Sequence, residues 1–503
     1  MVTRIQENIS TSQHFEHSFH ALGSEYVTPT AATPVSAPKW LAWNNRLAEQ
    51  LGWPVAWGHN EQTLITLAGN GQFEGSQPGS AAYAGHQFGN YNPQLGDGRA
   101  ILLGEWRRPD GQLFDIQLKG AGPTPYSRGG DGRSPVGPVV REYLMSEAMH
   151  SFGVPTTRAL AAVATGDPVY RQQLEPGAIL TRVAKSHIRI GTVQFFAMTR
   201  KGKGLKELVS YVTQRHYGAA LQKAQALNPQ TTHAQVLLNE VTRALANLVA
   251  HWQSLGFIHG VLNTDNMLLC GETVDYGPCA FMDTFAAGQV FSSIDTGGRY
   301  AFGNQPGIVH WNLSVLAQCL LPLIDEDKEK AVAVAQKSVD QFPTLFTDIY
   351  SARLAAKFGL DAMRDSDHAL IESFFSQLEE DKLDFTLAFR WLTEVANDNV
   401  DRTILGSLFT PSSGLLNWQT QWSNRRRQAT SASCEHMKTA NPVVIPRNHW
   451  VAQAIGMAEA GDNKLMETLQ SRWQDPFNWH AGDEQFAAAP KREEQVHRTF
   501  CGT

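Results

Sequence analysis

The stretch His259-Gly-Val-Leu-Asn-Thr-Asp-Asn-Met-Leu-Leu-Cys-Gly-Glu-Thr-Val-Asp-Tyr-Gly-Pro278, HGVLNTDNMLLCGETVDYGP, decides how this 503-residue chain is read. His259 opens it, Asn266 follows seven residues later, and Asp275-Tyr276-Gly277 closes it. "MLL" and "TV" read as a short hairpin between Asn266 and Asp275. An Asn and an Asp held by one hairpin offer hard oxygen atoms suited to Mg²⁺ or Mn²⁺. Two residues after the His, where a catalytic loop of this layout would carry a carboxylate, the chain has Val261.

The residues before this stretch, HAQVLLNEVTRALANLVAHWQSLGF (233–257), place Val241, Leu245, Leu248 and Trp252 at helical spacing. Gly256 supplies the stop, so the pattern predicts a long amphipathic helix running into the loop. Further upstream glycine becomes dense. YAGHQFGNYNPQLGDGRA (83–100) holds Gly85, Gly89, Gly96 and Gly98, with Arg99 behind them. Glycine lets backbone N–H groups approach an anion with no β-carbon in the way, although loops are glycine-rich for many other reasons.

Next, "AILLGEW" predicts a strand, "RRPDGQ" a turn and "LFDIQLK" a second strand. Phe114, Ile116 and Leu118 share one face of that strand; Leu113, Asp115, Gln117 and Lys119 share the other. Lys119 thus ends a strand on the less apolar face and is a candidate phosphate-binding lysine. A second glycine-rich piece follows, and a helix is expected from near Pro138 to before Gly153, with Val140, Leu144 and Ala148 as its apolar stripe. Glu142 and Glu147 both lie on it, and periodicity does not choose which one pairs with Lys119. Residues 178–184 and 188–197 read as strands carrying Arg182 and Arg189, whose planar forks suit triphosphate oxygens. Beyond residue 305, "HWNLSVLAQCLLPLI", "DKEKAVAVAQKSV" and "HALIESFFSQLEE" read as helices.

A glycine loop, a strand lysine, a helical glutamate, a His-loop-Asn and an Asp-Tyr-Gly in that order resemble a protein kinase. The expected fold is α+β and bilobal. An N-terminal arm and strand-rich nucleotide lobe would span residues 1–204, and a helical lobe with the catalytic loop, metal site and tail residues 205–503. The blocks YAGHQFGNYNPQLGDGRA, QLKGAGPTPYSRGGDGRS, REYLMSEAMH, LTRVAKSHIRIG and GFIHGVLNTDNMLLCGETVDYGPCAFMD closely resemble the selenoprotein O/YdiU family. That resemblance implies a kinase-like protein adenylyltransferase. It would move AMP from ATP to Ser, Thr or Tyr hydroxyls of proteins, with the nucleotide flipped relative to kinases. It implies Asp265 as proton acceptor and Asn266 and Asp275 as metal ligands. Gly96, Gly98, Arg99, Lys119, Asp131, Gly132, Arg182, Arg189 and Asp275 would contact the nucleotide. Glu142 matches the family's helix glutamate. Some members carry selenocysteine near the C-terminus, where Cys501 stands here, which makes a redox pairing of Cys501 with Cys279 an expectation.

Composition narrows the rest. A net charge of −6 weighs against a general nucleic-acid binder. Five cysteines imply no disulfide framework and a reducing, cytoplasmic setting. The opening MVTRIQENISTSQHFEH has no apolar segment and includes Glu7 and Glu16, so no targeting leader is expected. No run of about eighteen apolar residues is present, so no membrane partner is expected. His14, His17 and His20 are interleaved with Phe15 and Phe19, which favours an arm docked by its aromatics over a metal site. Three activities remain open at this stage: adenylyl transfer (or uridylyl transfer from UTP with Mn²⁺), a protein or small-molecule kinase, and a non-catalytic ATP-binding scaffold. Retention of both Asn266 and Asp275 argues against the last.

Overall fold

The computed structural model describes residues 14–199, 202–397 and 402–500. It is a mixed α/β structure. Among the described residues a nine-stranded antiparallel sheet forms the first part. Its members are β1 (Phe15–Glu16), β2 (Val27–Pro29), β3 (Lys39–Trp43), β4 (Gly79–Ala81), β7 (Ala100–Arg107), β8 (Leu113–Lys119), β9 (Ser134–Pro135), β10 (Arg158–Tyr170) and β11 (Leu174–Ala184). The main order is β2-β4-β7-β8-β11-β10-β3. Between β4 and β7 in sequence, β5 (Gly85–Gln87) and β6 (Asn90–Asn92) form a separate two-stranded hairpin.

Strand alternation sorts the two faces of the sheet. Ile116 and Leu118 of β8 join Leu103, Trp106, Ile179 and Val183 in an apolar cluster. The short helices α1 (Asn45–Leu51) and α2 (Glu61–Leu67) contribute to that cluster. The arm belongs to it as well: Phe15 is buried there, and His14 stacks on Trp106 at 4.8 Å. The opposite face of β8 is polar yet equally buried, with Asp115, Gln117 and Lys119 all enclosed. Register sets its chemistry. Arg182 lies opposite Gln117, and Leu180 opposite Lys119, so Lys119 and Arg182 are diagonal neighbours on one face.

Helix α3 (Val136–Ser151) crosses that polar face, with Pro138 in its first turn. The helix is buried nearly all round, which the single stripe Val140, Leu144, Ala148 does not convey. Its far side packs on the C-terminal helices Asn448–Glu459 and Lys464–Trp473, and Arg141 donates to Asn448 Oδ1 at 3.1 Å. One apolar core runs from α3 and β11 into the later helices.

The segment 188–197, read as a strand, is a helix. After β11 the chain turns through Ser186–Arg189 and forms α4 (Ile190–Met198). The Thr192 hydroxyl accepts from Arg189 N at 3.1 Å and fixes the helix start. β-Branched and aromatic residues suggested a strand, but Ile190, Val193 and Phe196 are buried at a spacing of three, which is a helical period. Arg182 therefore lies on a strand, whereas Arg189 caps a helix.

The later part is helical: α5 (Gly202–Leu227), α6 (His233–Leu255), α7 (Gln305–Ile324), α8 (Lys328–Val339), α9 (Gln341–Phe358) and further helices that include His368–Glu380. In α6 the Thr232 hydroxyl accepts from Gln235 N, and Gln235 Oε1 accepts from Thr232 N. Gly256 ends it at φ 70°, a left-handed conformation that glycine adopts without strain. One helical segment among the described residues, Phe302–Ile324, is long and apolar enough by composition to cross a membrane, although polar residues interrupt its apolar run. It contains α7, half of it is buried, and it packs on α4, α6 and α8 as a core helix.

Candidate active site

A cleft of about 750 Å³ opens between the sheet, the loops 83–100 and 126–133, and the loop 261–278. Lys119, Arg182 and Arg189 line its deep end and are all buried. Lys119 Nζ donates to Glu142 Oε2 at 2.6 Å and to Asp275 Oδ1 at 3.0 Å. Arg182 donates through Nε to Glu142 and through Nη2 to Asp275. Arg189 Nη1 reaches Asp275 Oδ2 at 3.2 Å and the Asp265 carbonyl at 2.6 Å. Its guanidinium lies 4.6 Å from the Tyr83 ring centre.

This geometry resolves the choice between the two glutamates. Glu142 faces the cleft. Glu147, five residues on and turned away by the helical pitch, instead pairs with Arg158 at 2.7 Å and accepts from Asn44 at 2.6 Å.

Burial alone would raise the Asp275 carboxyl, but Arg182, Lys119 and Arg189 outweigh it and hold it well below the usual carboxylate range. Glu142 is lowered in the same way, its burial opposed by Arg182 and Lys119. Lys119 is pushed down, first by burial and then by Arg182. Breaking one member out of such an enclosed cluster costs about 3–5 kcal/mol, so a substitution at Arg182 reports on folding as well as on ligand. Asp275 itself sits at φ 64°. A non-glycine residue in that region stores strain, which marks functional positions.

The loop carrying Asp265 and Asn266 is pinned from several sides. His259 is buried and its Nε2 meets the Val274 carbonyl at 2.9 Å; burial lowers its pKa to about 4, so the ring is neutral and serves as a brace. Asn266 Nδ2 donates to the Val261 carbonyl at 3.0 Å, which leaves its Oδ1 as the atom for a cation. The expected hairpin between Asn266 and Asp275 is reduced to one bridge, Met267 with Thr273. Asp265 is buried; that desolvation raises its pKa to about 6 against the opposing charge of Arg189. Gln87 Nε2 donates to its Oδ2 at 3.3 Å, while Oδ1 has no partner among the described residues. A β-carbon on Gly85 would lie 2.6 Å from that Oδ1. Gly85 therefore exists to admit the Asp265 carboxylate, not to bind an anion through its backbone.

Gly96, Gly98, Arg99, Asp131 and Gly132 all line the same cleft. At Gly132 (φ 64°) a β-carbon would meet the Gly122 carbonyl oxygen at 2.0 Å, so loop closure by itself demands glycine there. Asp131 is held by both Arg171 nitrogens, at 2.9 and 3.0 Å, a pairing that depresses its pKa. Sequence reasoning missed Arg171, Tyr83, Asp97 and Gln87 as lining residues. Tyr83, Gln87 and Asp97 stood inside the quoted glycine block, whereas Arg171 comes from the β10–β11 turn, where no motif marks it. Cys279 is fully buried and its thiol donates to the Tyr276 carbonyl at 3.1 Å. Its expected partner Cys501 lies outside the described residues.

A family model described as "Protein adenylyltransferase SelO" matches residues 10–474. The chain belongs to the SelO family. It is 44% identical over 501 residues to the "Protein nucleotidyltransferase YdiU" of Bacillus cereus, covering 99% of this chain and 100% of the relative. It is 46% identical over 493 residues to the protein of that name from Rhodopseudomonas palustris, covering 97% and 99%. The Brevibacillus brevis protein of that name is 44% identical over 506 residues, covering all of both chains. The SelO match spans the sheet, the cleft and the loop 261–278 together.

Glu272 sits between Asn266 and Asp275 in sequence. It is buried, accepts from Lys185 N at 3.0 Å, and lies 4.0 Å from Lys185 Nζ. Burial raises its pKa from 4.5 to about 7. A carboxyl raised on folding stabilises fully below its unfolded pKa and loses that contribution as pH climbs through the folded value. Stability is expected to fall between about pH 4.5 and pH 8 by up to about 3 kcal/mol from this group. Glu272→Gln should flatten that slope and melt higher than the wild type at pH 8, as read by thermal melts across the range. Equal pH slopes in the two proteins would refute the assignment.

Proposed function

We propose that this chain transfers AMP from ATP to Ser, Thr or Tyr hydroxyls of proteins and releases pyrophosphate. The fold is read as kinase-like and bilobal, with residues 1–204 supplying the nucleotide lobe and 205–503 the catalytic loop. One observation carries the reading. Val261, an inert side chain, lines the cleft, while Asp265 in the same cleft is a buried carboxylate with one unpartnered oxygen. Asp265 accepts the proton of the acceptor hydroxyl, whose oxygen bonds to the α-phosphorus as the bond to the bridging oxygen of the β-phosphate breaks. The charge gathering on the leaving pyrophosphate is met by Lys119, Arg182 and Arg189, preorganised and shielded from water. The nucleotide then lies reversed relative to kinases, with Gly96, Gly98, Arg99, Asp131 and Gly132 along its length.

A divalent ion fits the donor set. Asn266 Oδ1 and the Asp275 carboxylate are hard oxygen atoms, and Mg²⁺ or Mn²⁺ takes one or two such protein ligands with phosphates and water completing the shell. Among the described residues no cluster of three or more His, Cys, Asp or Glu side chains forms a self-sufficient metal cage. Bound there, the ion would neutralise phosphate charge. Asn266 and Asp275 would hold it, with Asp275 giving up part of its contact to Arg182. UTP with Mn²⁺ remains the second donor of the same class, because the residues named here read phosphates, not a base. A cytoplasmic setting suits a chain of 503 residues with only five cysteines.

ATP labelled separately at the α- and γ-phosphate tests the reading. Label from α-labelled ATP should become protein-bound with a mass gain of AMP, and none should come from the γ position. Transfer of γ-label alone would make the protein a kinase.

A further inference from the structure

The β5–β6 hairpin stands apart from the large sheet, and its two edges face different partners. Phe88 (φ 52°) and Gly89 (φ 84°) form a two-residue turn with both central residues left-handed. Such a turn makes Gln87 and Asn90 a hydrogen-bonded pair and leaves His86 opposite Tyr91 as a non-hydrogen-bonded pair. The backbone groups of His86 and Tyr91 therefore point away from the hairpin. On the inner edge His86 N donates to the Thr264 hydroxyl at 2.7 Å, one residue from Asp265. On the outer edge Tyr91 is exposed, and no other strand pairs with β6 among the described residues. Natural proteins cover or blunt free strand edges, so an open one beside a catalytic loop is a template for an added strand.

A cation sits beside the turn of this hairpin. The Arg299 guanidinium carbon lies 3.6 Å from where a β-carbon on Gly89 would stand. It lies over the Trp311 ring at 5.0 Å and near the Tyr300 ring at 5.8 Å. No carboxylate forms an ion pair with that side chain among the described residues, and its Nε is buried without a partner. Lys119, Arg182 and Arg189 in the cleft are, by contrast, paired with Glu142, Asp275 and Asp97.

We propose that the acceptor protein docks as an extended segment on the outer edge of β6, with an acidic side chain on Arg299. This rests on the nucleotidyl-transfer reading and names how its protein substrate is held. The Tyr91 N–H and carbonyl pair with the incoming backbone. A strand added there lies about 10 Å from β5, two strand spacings. The paired stretch thus anchors the substrate a few residues from the acceptor, whose hydroxyl enters the cleft beside Gln87 and Asp265.

Two fluorescent synthetic peptides, each with one Ser, Thr and Tyr, test it; acidic residues flank these in one peptide and lysines in the other. Anisotropy should show binding of the acidic peptide alone, and α-label transfer should follow the same preference. Arg299→Glu should raise the KM for the acidic peptide about tenfold or more, with kcat and the KM for ATP unchanged. Tyr91→Pro, which removes the outward N–H at a tolerated edge position, should also weaken binding of the acidic peptide. The docking inference is overturned if the wild type fails to bind the acidic peptide, or if both variants keep its affinity. Failure of α-label transfer to any protein would instead remove the activity reading, and the anisotropy arm still decides the docking.

Discussion

Asp275→Asn is expected to abolish transfer while leaving ATP bound. In the wild type this carboxylate is shared by Lys119, Arg182 and Arg189. Replacing it with a neutral amide frees three cations for phosphate and removes the charged ligand proposed for the metal. Turnover with Mg²⁺ should fall on the order of 10³-fold, the scale of losing a preorganised electrostatic contact at the reacting group. Calorimetry without metal should show ATP affinity equal to or above that of the wild type. An active Asp275→Asn protein would mean that the metal is held elsewhere. A variant that loses ATP in the absence of metal would mean that Asp275 organises the cations instead of restraining them.

Asp265→Asn separates proton transfer from binding. The amide keeps the shape that Gly85 admits and the contact with Gln87, but it cannot accept the hydroxyl proton. The rate should drop about 10²- to 10⁴-fold, with ATP affinity within about twofold of wild type, since only the backbone carbonyl of Asp265 touches Arg189. Full turnover in this variant would place the base on another residue.

Much of this site is written locally. The alternation of β8 puts Lys119 and Gln117 on one face whatever surrounds the strand, and the glycine at 256 ends α6 because few other residues accept its left-handed backbone. The seven-residue step from His259 to Asn266 and the Asp-Tyr-Gly that follows are likewise fixed by chain order. The helices 328–339 and 368–380 were legible from local pattern alone.

Other features exist only once distant segments meet. Whether Glu142 or Glu147 faces Lys119 depends on where α3 lies across the sheet; periodicity gives the angle between the two, not its origin. Segment 188–197 has strand-forming residue types but is a helix, because its apolar side chains are buried among α5 and α7 at helical spacing and Thr192 caps its start. Alternation gave the less apolar face of β8, but only the fold shows α3 and the loop 261–278 covering it and turning its charges into a closed network. Gly85 read as a loop glycine until the fold set Asp265 against it. Arg171 carries no motif and enters the cleft because the β10–β11 turn overhangs Asp131. Sequence alone determined which groups are available and which strand face or helix turn each occupies. Tertiary structure decided which of them meet, because burial and charge pairing are properties of the space between elements.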